Sequence, residues 1–169
     1  IRSTKLLAAE HGYEALMASI ERPAPVAGKK AAIIGGGPTG IAAAYFLGRA
    51  GVRCTIFERT GALGGIVRHV IPEFRISEEA IGKDVALMLA YGAEVRLNTE
   101  APSVEELKKQ GYTHILYAVG AWKPGKLDIE GNVRGVIGWL EERKAGKGGE
   151  LGHVVVIGGG NTAMDAARV

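Results

Sequence analysis

KKAAIIGGGPTGIAAAYFLGRAGVRCTIFERTGALGG, residues 29–65, is the stretch on which the reading of this 169-residue chain turns. Ala31 to Ile34 make a short apolar run of strand type, and Gly35 to Gly40 a glycine turn. Ile41 to Ala50 then make a helix of small residues that Gly51 stops, and Val52 to Phe57 a second strand. Gly35, Gly37 and Gly40 take the three glycine places of G-x-G-x-x-G, with Pro38 and Thr39 between the last two. The string alone is a weak signal. Here it follows a strand and opens a helix, and an acidic residue, Glu58, closes the next strand 18 residues past Gly40. The first glycine permits a tight turn, the second lets backbone approach a pyrophosphate, and the third lets helix and strand pack closely. Free N–H groups and the helix dipole favour phosphate there by about 0.3–1 kcal/mol, and up to about 2. Glu58 is placed to accept hydrogen bonds from both hydroxyls of an adenosine ribose, and its charge would repel a 2′-phosphate, so this first site should reject NADP. A P-loop is excluded, because Ile41 and Ala42 stand where Lys and Ser/Thr are required. The bland alternative is a strand-to-helix turn that holds no ligand.

Outward from that unit, strands and helices alternate, which argues for a parallel α/β sheet. Residues 1–20 read as a helix with Leu6, Leu7, His11, Ala15 and Leu16 near one face, and Glu21 to Gly28 as a linker. Ser77 to Tyr91 is the clearest amphipathic helix, capped by Ser77 and stopped by Gly92. A strand is expected over Glu94–Asn98, and Ser103 with Glu106 reads as a capping box for a short helix ended by Gly111. Thr113 to Val119 reads as a buried strand, Trp122 to Gly131 as a polar loop, Val136 to Lys144 as a helix and Gly146 to Gly152 as a flexible stretch.

HVVVIGGGNTAMD, residues 153–165, repeats the design: a strand over His153–Ile157, then Gly158, Gly160 and Ala163 in G-x-G-x-x-A with Asn161 and Thr162 between, then a helix over Thr162–Val169. Two such turns 123 residues apart imply two nucleotides on two domains, with hydride passing between them. The expected organisation is a helical segment and linker over 1–27, a first nucleotide-binding domain over 28–150, and the start of a second over 151–169. The chain opens on Ile1 and only six residues follow Ala163, so it reads as a piece of something longer, without nicotinamide turnover of its own. The second unit's strand should join the first sheet, pair with another copy, or stay mobile, because an unpaired apolar edge is a liability.

Composition excludes several classes. Apolar residues at 47% and charged residues at 23% are globular values, and 26 glycines point to close backbone approaches. A net charge of +3, spread along the chain, gives no basic stripe for nucleic acid. No apolar run approaches a membrane span and no signal pattern opens the chain, which points to a cytoplasmic protein with no membrane partner. The single cysteine, Cys54, sits in an apolar run and reads as a buried small hydrophobe, so neither an internal disulfide nor a CxxC pair exists. No metal-ligand spacing is found, and His11, His114 and His153 read as structural. Tyr45, Phe46, Trp122 and Trp139 read as packing residues. Arg68, His69 and Arg75 read equally as groups near a cofactor ring and as solvated loop charges. No catalytic residue is singled out.

Glu58, Arg59 and the pair Gly64–Gly65 resemble a flavoprotein pattern in which an acidic strand end is followed by a loop along the flavin pyrophosphate. YAVGA, residues 117–121, resembles the strand end that carries those proteins' chain past the flavin, with Gly120 at the turn and Val119 where threonine is commoner. Over residues 30–169, with IPEFRIS (71–77), GAWKP and GGGNTAMDAAR added, the chain resembles the glutamate synthase small-subunit family of FAD/NADPH oxidoreductases, and most of all its selenate reductase iron–sulfur subunit type. That resemblance implies a Rossmann-like fold, FAD at the first turn and NADPH or NADH at the second. It also implies electrons passed through FAD to iron–sulfur clusters in other parts of the protein or in a redox partner subunit. Residues 1–27 hold no cysteine for such a cluster, and the family's closing Gly-Asp motif is missing. With no cysteine pair after Gly65, a disulfide-reductase mechanism is disfavoured. The alternative is a non-catalytic nucleotide-binding or interaction module of the same fold; a third reading, a plain single-domain NAD dehydrogenase, is opposed by the Gly64–Gly65 pair.

Overall fold

Why do four short segments, β1 (Lys30–Ile34), β2 (Arg53–Phe57), β3 (Glu94–Arg96) and β4 (His114–Tyr117), form a sheet? β1 and β2 carry apolar side chains at consecutive positions, as strands covered on both faces must. The computed structural model, which describes residues 1–123, 125, 128–149 and 151–169, pairs all four in parallel in the order β3-β2-β1-β4. Alternation sorts the side chains. Ala31, Ile33, Cys54 and Ile56 face Ala44 of helix α2 (Pro38–Arg49) and Met88 of helix α4 (Glu78–Ala90). Ala32 and Phe57 point the other way, onto Tyr112 and Leu107, the latter from helix α5 (Val104–Lys109). Ile33, Ile56 and Met88 are fully buried, so the site described below rests on a rigid support.

The expected caps are present. Ser77 accepts from the Ala80 N–H at 3.2 Å, and Ser103 and Glu106 form the reciprocal capping box. Helix α1 (Arg2–Ala18) forms as expected, yet its apolar face is not buried: Leu6 and Leu7 are exposed, and the helix touches the body through Tyr13, whose hydroxyl donates to the Lys83 carbonyl at 3.3 Å. The linker is pinned, with the Val26 N–H on the Gly51 carbonyl and Arg22 on the Ala90 carbonyl.

Three expectations are corrected. β4 is not a buried strand: among the described residues it pairs with β1 alone, and Leu116 and Tyr117 are exposed. Residues 153–157 form no strand. A parallel strand needs a neighbour to take its N–H and C=O groups, none among the described residues lies beside it, and Val155 is 87% exposed. Of the three fates foreseen for that segment, joining the first sheet is therefore excluded. Phe46 is 63% exposed and does not pack in the core, whereas its neighbour Tyr45 stacks edge-on with Tyr91. In the expected loop 122–131 and glycine stretch 146–152, Pro124, Lys126, Leu127 and Glu150 lie outside the described residues.

Candidate functional site

The strand order places β2 and β3 on one side of β1 and returns the chain to β4 on the other, so β1 and β4 flank the topological switch point. In open α/β sheets that crevice, beyond the carboxyl ends of the strands, is where ligands bind. A cleft of about 910 Å³ lies there, walled by Gly35, Gly37–Thr39, Glu58, Gly65 and the β4 exit Tyr117–Lys123.

Each glycine of the first turn has its own physical reason. Gly35 has φ +105°, and a Cβ on it would lie 2.5 Å from the Ala118 carbonyl oxygen at the end of β4. At Gly40 a Cβ would collide with the Gly35 carbonyl oxygen, so this glycine seats α2 against β1. Gly37, the N-cap of α2, has an ordinary φ of −74°, and a Cβ on it would meet only Gly65 Cα, at 3.8 Å. Packing does not demand a glycine at Gly37; approach by a ligand would. Helix N-termini leave their first N–H groups without intrahelical partners. Pro38 has none to offer, which leaves those of Gly37, Thr39 and Gly40, while the bond from the Ile41 N–H to the Gly37 carbonyl starts the ladder.

Glu58 sits at the end of β2 and is only 6% exposed. Its Oε2 accepts from the Gly36 N–H at 2.7 Å, and its Oε1 accepts from the Thr60 N–H and the Thr60 hydroxyl, both at 2.8 Å. Burial pushes this carboxyl up, but the bonds from Thr60 and Gly36, with the Arg59 charge, outweigh it and hold the group below the usual glutamate value. A carboxylate offers about four lone-pair positions, and three are taken. One position on Oε2 therefore remains open.

The sequence reading missed two residues here. Gly36 occupies an "x" of the motif, yet a Cβ on it would strike Leu63 and lie 3.1 Å from Glu58 Oε2. Its N–H holds Glu58 and its carbonyl accepts from the Gly64 N–H at 2.8 Å, so it couples the turn to the second glycine pair. Thr60, two residues past Glu58, fixes the carboxylate, and an Asp/Glu followed by a short hydroxyl residue was the signal available for it.

Gly64 (φ +124°) and Gly65 (φ +53°) open a short helix, α3 (Gly65–His69), that the sequence did not announce. A Cβ on Gly65 would approach Gly37 Cα to 2.9 Å, so the two loops meet glycine to glycine at the cleft. Arg59 stacks its guanidinium over Trp122, 5.4 Å from the ring centroid, and Gly120 (φ +71°) turns the chain beneath the same indole. Trp122, expected to pack, does so on Arg59 and Gly120 and also forms part of the cleft wall. The three equivocal side chains separate. Arg68 pairs with Glu78 at 2.9 Å, His69 Nε2 lies 3.3 Å from the Thr60 hydroxyl, and Arg75 turns away to Asp165.

The second turn reproduces the first in backbone terms. Gly158 has φ +128°, matching Gly35, and Gly160 is an extended N-cap (φ −82°, ψ 174°) as Gly37 is (φ −74°, ψ −174°). Ala163 Cβ would lie 3.6 Å from a Cβ on Gly158, the counterpart of the Gly35–Gly40 approach. Asn161 and Thr162 begin helix α7 (Asn161–Arg168). The two turns stand on separate elements, and no residue of the second lines the cleft of the first.

A parallel sheet of this order with a carboxylate-backed glycine turn at its switch point defines a dinucleotide-binding α/β domain. The family model described as pyridine nucleotide-disulphide oxidoreductase matches residues 29–169, and the chain belongs to that family. An Escherichia coli (strain K12) protein named only as an oxidoreductase, YgfK, is 39% identical over 99% of this chain and 17% of its own length. The glutamate synthase [NADPH] small chain of the same organism is 32% identical over 83% of this chain and 34% of its own, in keeping with the resemblance read from the motifs. Among solved structures, 2-naphthoyl-CoA reductase in complex with 2-naphthoyl-CoA superposes with a TM-score of 0.67 at 30% identity, over 86% of this chain and 22% of that one. The chain thus spans between about a sixth and a third of these proteins. FAD and NAD(P)H are the cofactors of this family. The disulphide of the family's description has no counterpart here, because Cys54 is the sole cysteine and is buried. Among the described residues no helix is long and apolar enough to cross a membrane, and no group of three His, Cys, Asp or Glu could hold a metal ion.

Proposed function

We propose that the switch-point cleft is the FAD site and that the second glycine turn belongs to an NAD(P)H site. Residues 28–150 are then the flavin-binding domain and 151–169 the start of the nicotinamide-nucleotide domain. The protein that carries this chain passes electrons from NAD(P)H through FAD to an acceptor outside the chain, held by another domain or a redox partner subunit. The family resemblance suggests iron–sulfur clusters for that acceptor, and the name of the glutamate synthase [NADPH] small chain favours NADPH as donor.

The observation that carries the reading is the buried Glu58 carboxylate, clamped by Gly36 and Thr60 with one lone pair to spare, beside a helix start whose second glycine is open for no packing reason. In this assignment the N–H groups of Gly37, Thr39 and Gly40 receive the pyrophosphate and Glu58 takes a ribose hydroxyl. The Gly64–Gly65 bend lies along the phosphates, while Arg59, Trp122 and Gly120 border the cleft mouth. Bound FAD supplies the ring that accepts hydride and hands electrons on. Gly158, Gly160, Asn161, Thr162 and Ala163 form the corresponding cradle for NAD(P)H.

The visible spectrum of the purified full-length protein tests this. Flavin absorbance that is lost in Glu58→Arg and bleached by NAD(P)H without oxygen is the expected result. A colourless protein that refuses FAD in excess would sink the flavin reading, and binding of NAD alone would move the site to the dehydrogenase class.

A further inference from the structure

The helix that opens at the second glycine turn has no ladder to anchor it, because Val154–Ile157 pair with nothing described. Side chains hold it instead. Asp165, on α7 two residues beyond Ala163, is 6% exposed, and Arg75 Nε donates to its Oδ1 at 2.5 Å. A buried carboxylate is costly without a partner, so this pair sets where α7 can sit. Two more contacts run along the same seam. The Arg168 guanidinium lies 4.0 Å from the Phe74 ring centroid, and Lys144, from helix α6 (Val136–Lys144) packed on α7, donates to the Ile71 carbonyl at 2.7 Å. Ile71, Phe74 and Arg75 all lie on the segment between α3 and α4, and α3 begins at Gly65, which touches Gly37 in the first turn. One short stretch of chain therefore bears on both glycine turns.

Given the two-nucleotide reading above, on which this rests, we propose that Arg75–Asp165 is a positioning pair. It locks the helix of the second turn onto the Ile71–Arg75 segment and so fixes the relative placement of the two nucleotide sites. Neither residue touches a cofactor; both act through the elements they join. Hydride transfer needs reacting atoms held about 3–3.5 Å apart, and a misplacement of about 1 Å costs roughly 100-fold. Loss of the pair should therefore slow transfer between the sites while leaving each site intact.

The experiment measures the limiting rate of flavin reduction by NAD(P)H, without oxygen and per bound flavin, in full-length protein carrying Asp165→Asn, Arg75→Gln, or both. Each single change should slow the rate about tenfold or more with flavin content unchanged, and the double change should be no slower than the singles, as for residues acting as one unit. Arg75→Lys, which keeps the charge but not the planar donor, should recover part of the rate, and it decides the matter if the neutral variants fail to fold. Rates within twofold of the parent, or a double variant slowed by the product of the singles, would overturn the proposal. A parent protein without flavin would defeat the reading of the first cleft instead. The pair is then judged by amide hydrogen exchange over 164–168: faster exchange in Asp165→Asn supports it, and unchanged exchange overturns it.

Discussion

Replacing Glu58 by Gln removes one charge and almost no volume, and it strikes the group that joins β2, the first turn and the Thr60 bend. In the parent, three donors converge on the carboxylate: the Gly36 N–H at 2.7 Å, and the Thr60 N–H and hydroxyl at 2.8 Å. A Gln side chain has one acceptor oxygen. If that oxygen keeps the two Thr60 donors, the amide NH2 faces the Gly36 N–H, and a buried donor loses its acceptor. The Thr60 hydroxyl can turn to the Ala62 carbonyl, 2.9 Å away, but the Gly36 N–H has no such substitute among the described contacts. One unsatisfied buried donor costs about 1–3 kcal/mol. For a domain of this size each kcal/mol moves the melting temperature by about 2–4 °C, so Glu58→Gln should melt about 4–8 °C lower for a loss near 2 kcal/mol. The measurement is thermal unfolding at pH 7 without added nucleotide, repeated as the pH is lowered. Glu58 has a folded value below its unfolded one, so its contribution is whole above the unfolded value, about 4.3. It fades as pH falls through the lower folded value, and the gap between parent and variant must close over that range. A Gln variant melting within about 1 °C of the parent at pH 7, or a gap that widens in acid, would refute the clamp.

The two glycines nearest the helix start should part company. Gly37→Ala should leave folding nearly untouched but weaken FAD binding about tenfold or more, whereas Gly40→Ala, driven into the Gly35 carbonyl, should cost about 3 kcal/mol or more in denaturant unfolding. Equal effects of the two on stability would contradict the geometry. Cys54 is buried with its thiol pushed up to about 11 by burial and by Glu94, so it should resist thiol reagents at pH 8 until the protein is unfolded; labelling of the folded protein at the rate of a free thiol would contradict its placement. Ser103→Ala breaks the capping box of α5 and should cost about 1 kcal/mol of stability with no change in flavin content.

How far the sequence carries the structure depends on whether a residue's role is local. The glycine turns, the Ser77 cap and the Ser103–Glu106 box were legible because their signals lie within a few positions of the groups they serve. Glu58 was legible as an acid at a strand end, but its clamp was not, since the Gly36 amide reaches it across 22 residues. Phe46 is not legible because an aromatic residue in a short sequence window says nothing about whether anything will cover it. Strand 153–157 was misjudged for the converse reason. Its apolar run satisfies every local rule for a strand, and a strand exists only where a neighbour takes its hydrogen bonds.

That contrast bears on what makes a glycine string a site. The two turns share their backbone, with Gly35 and Gly158 in positive φ and Gly37 and Gly160 as extended N-caps. Among the described residues, the first also has a carboxylate fixed at its back, a second glycine pair pressed against its open glycine, and a returning strand across the cleft. The amides set by backbone angle are a general phosphate cradle, weak alone and shared by both. In the proposed assignment, selectivity for a particular nucleotide comes from Glu58, Gly64–Gly65 and the β4 exit, which the fold gathers from three separate parts of the chain. Glu58→Arg tests this directly. It removes the acceptor of the Gly36 N–H and substitutes a cation where the proposed ribose hydroxyl would be accepted, so it should abolish bound flavin; a variant that stayed yellow would show that the cradle suffices without Glu58.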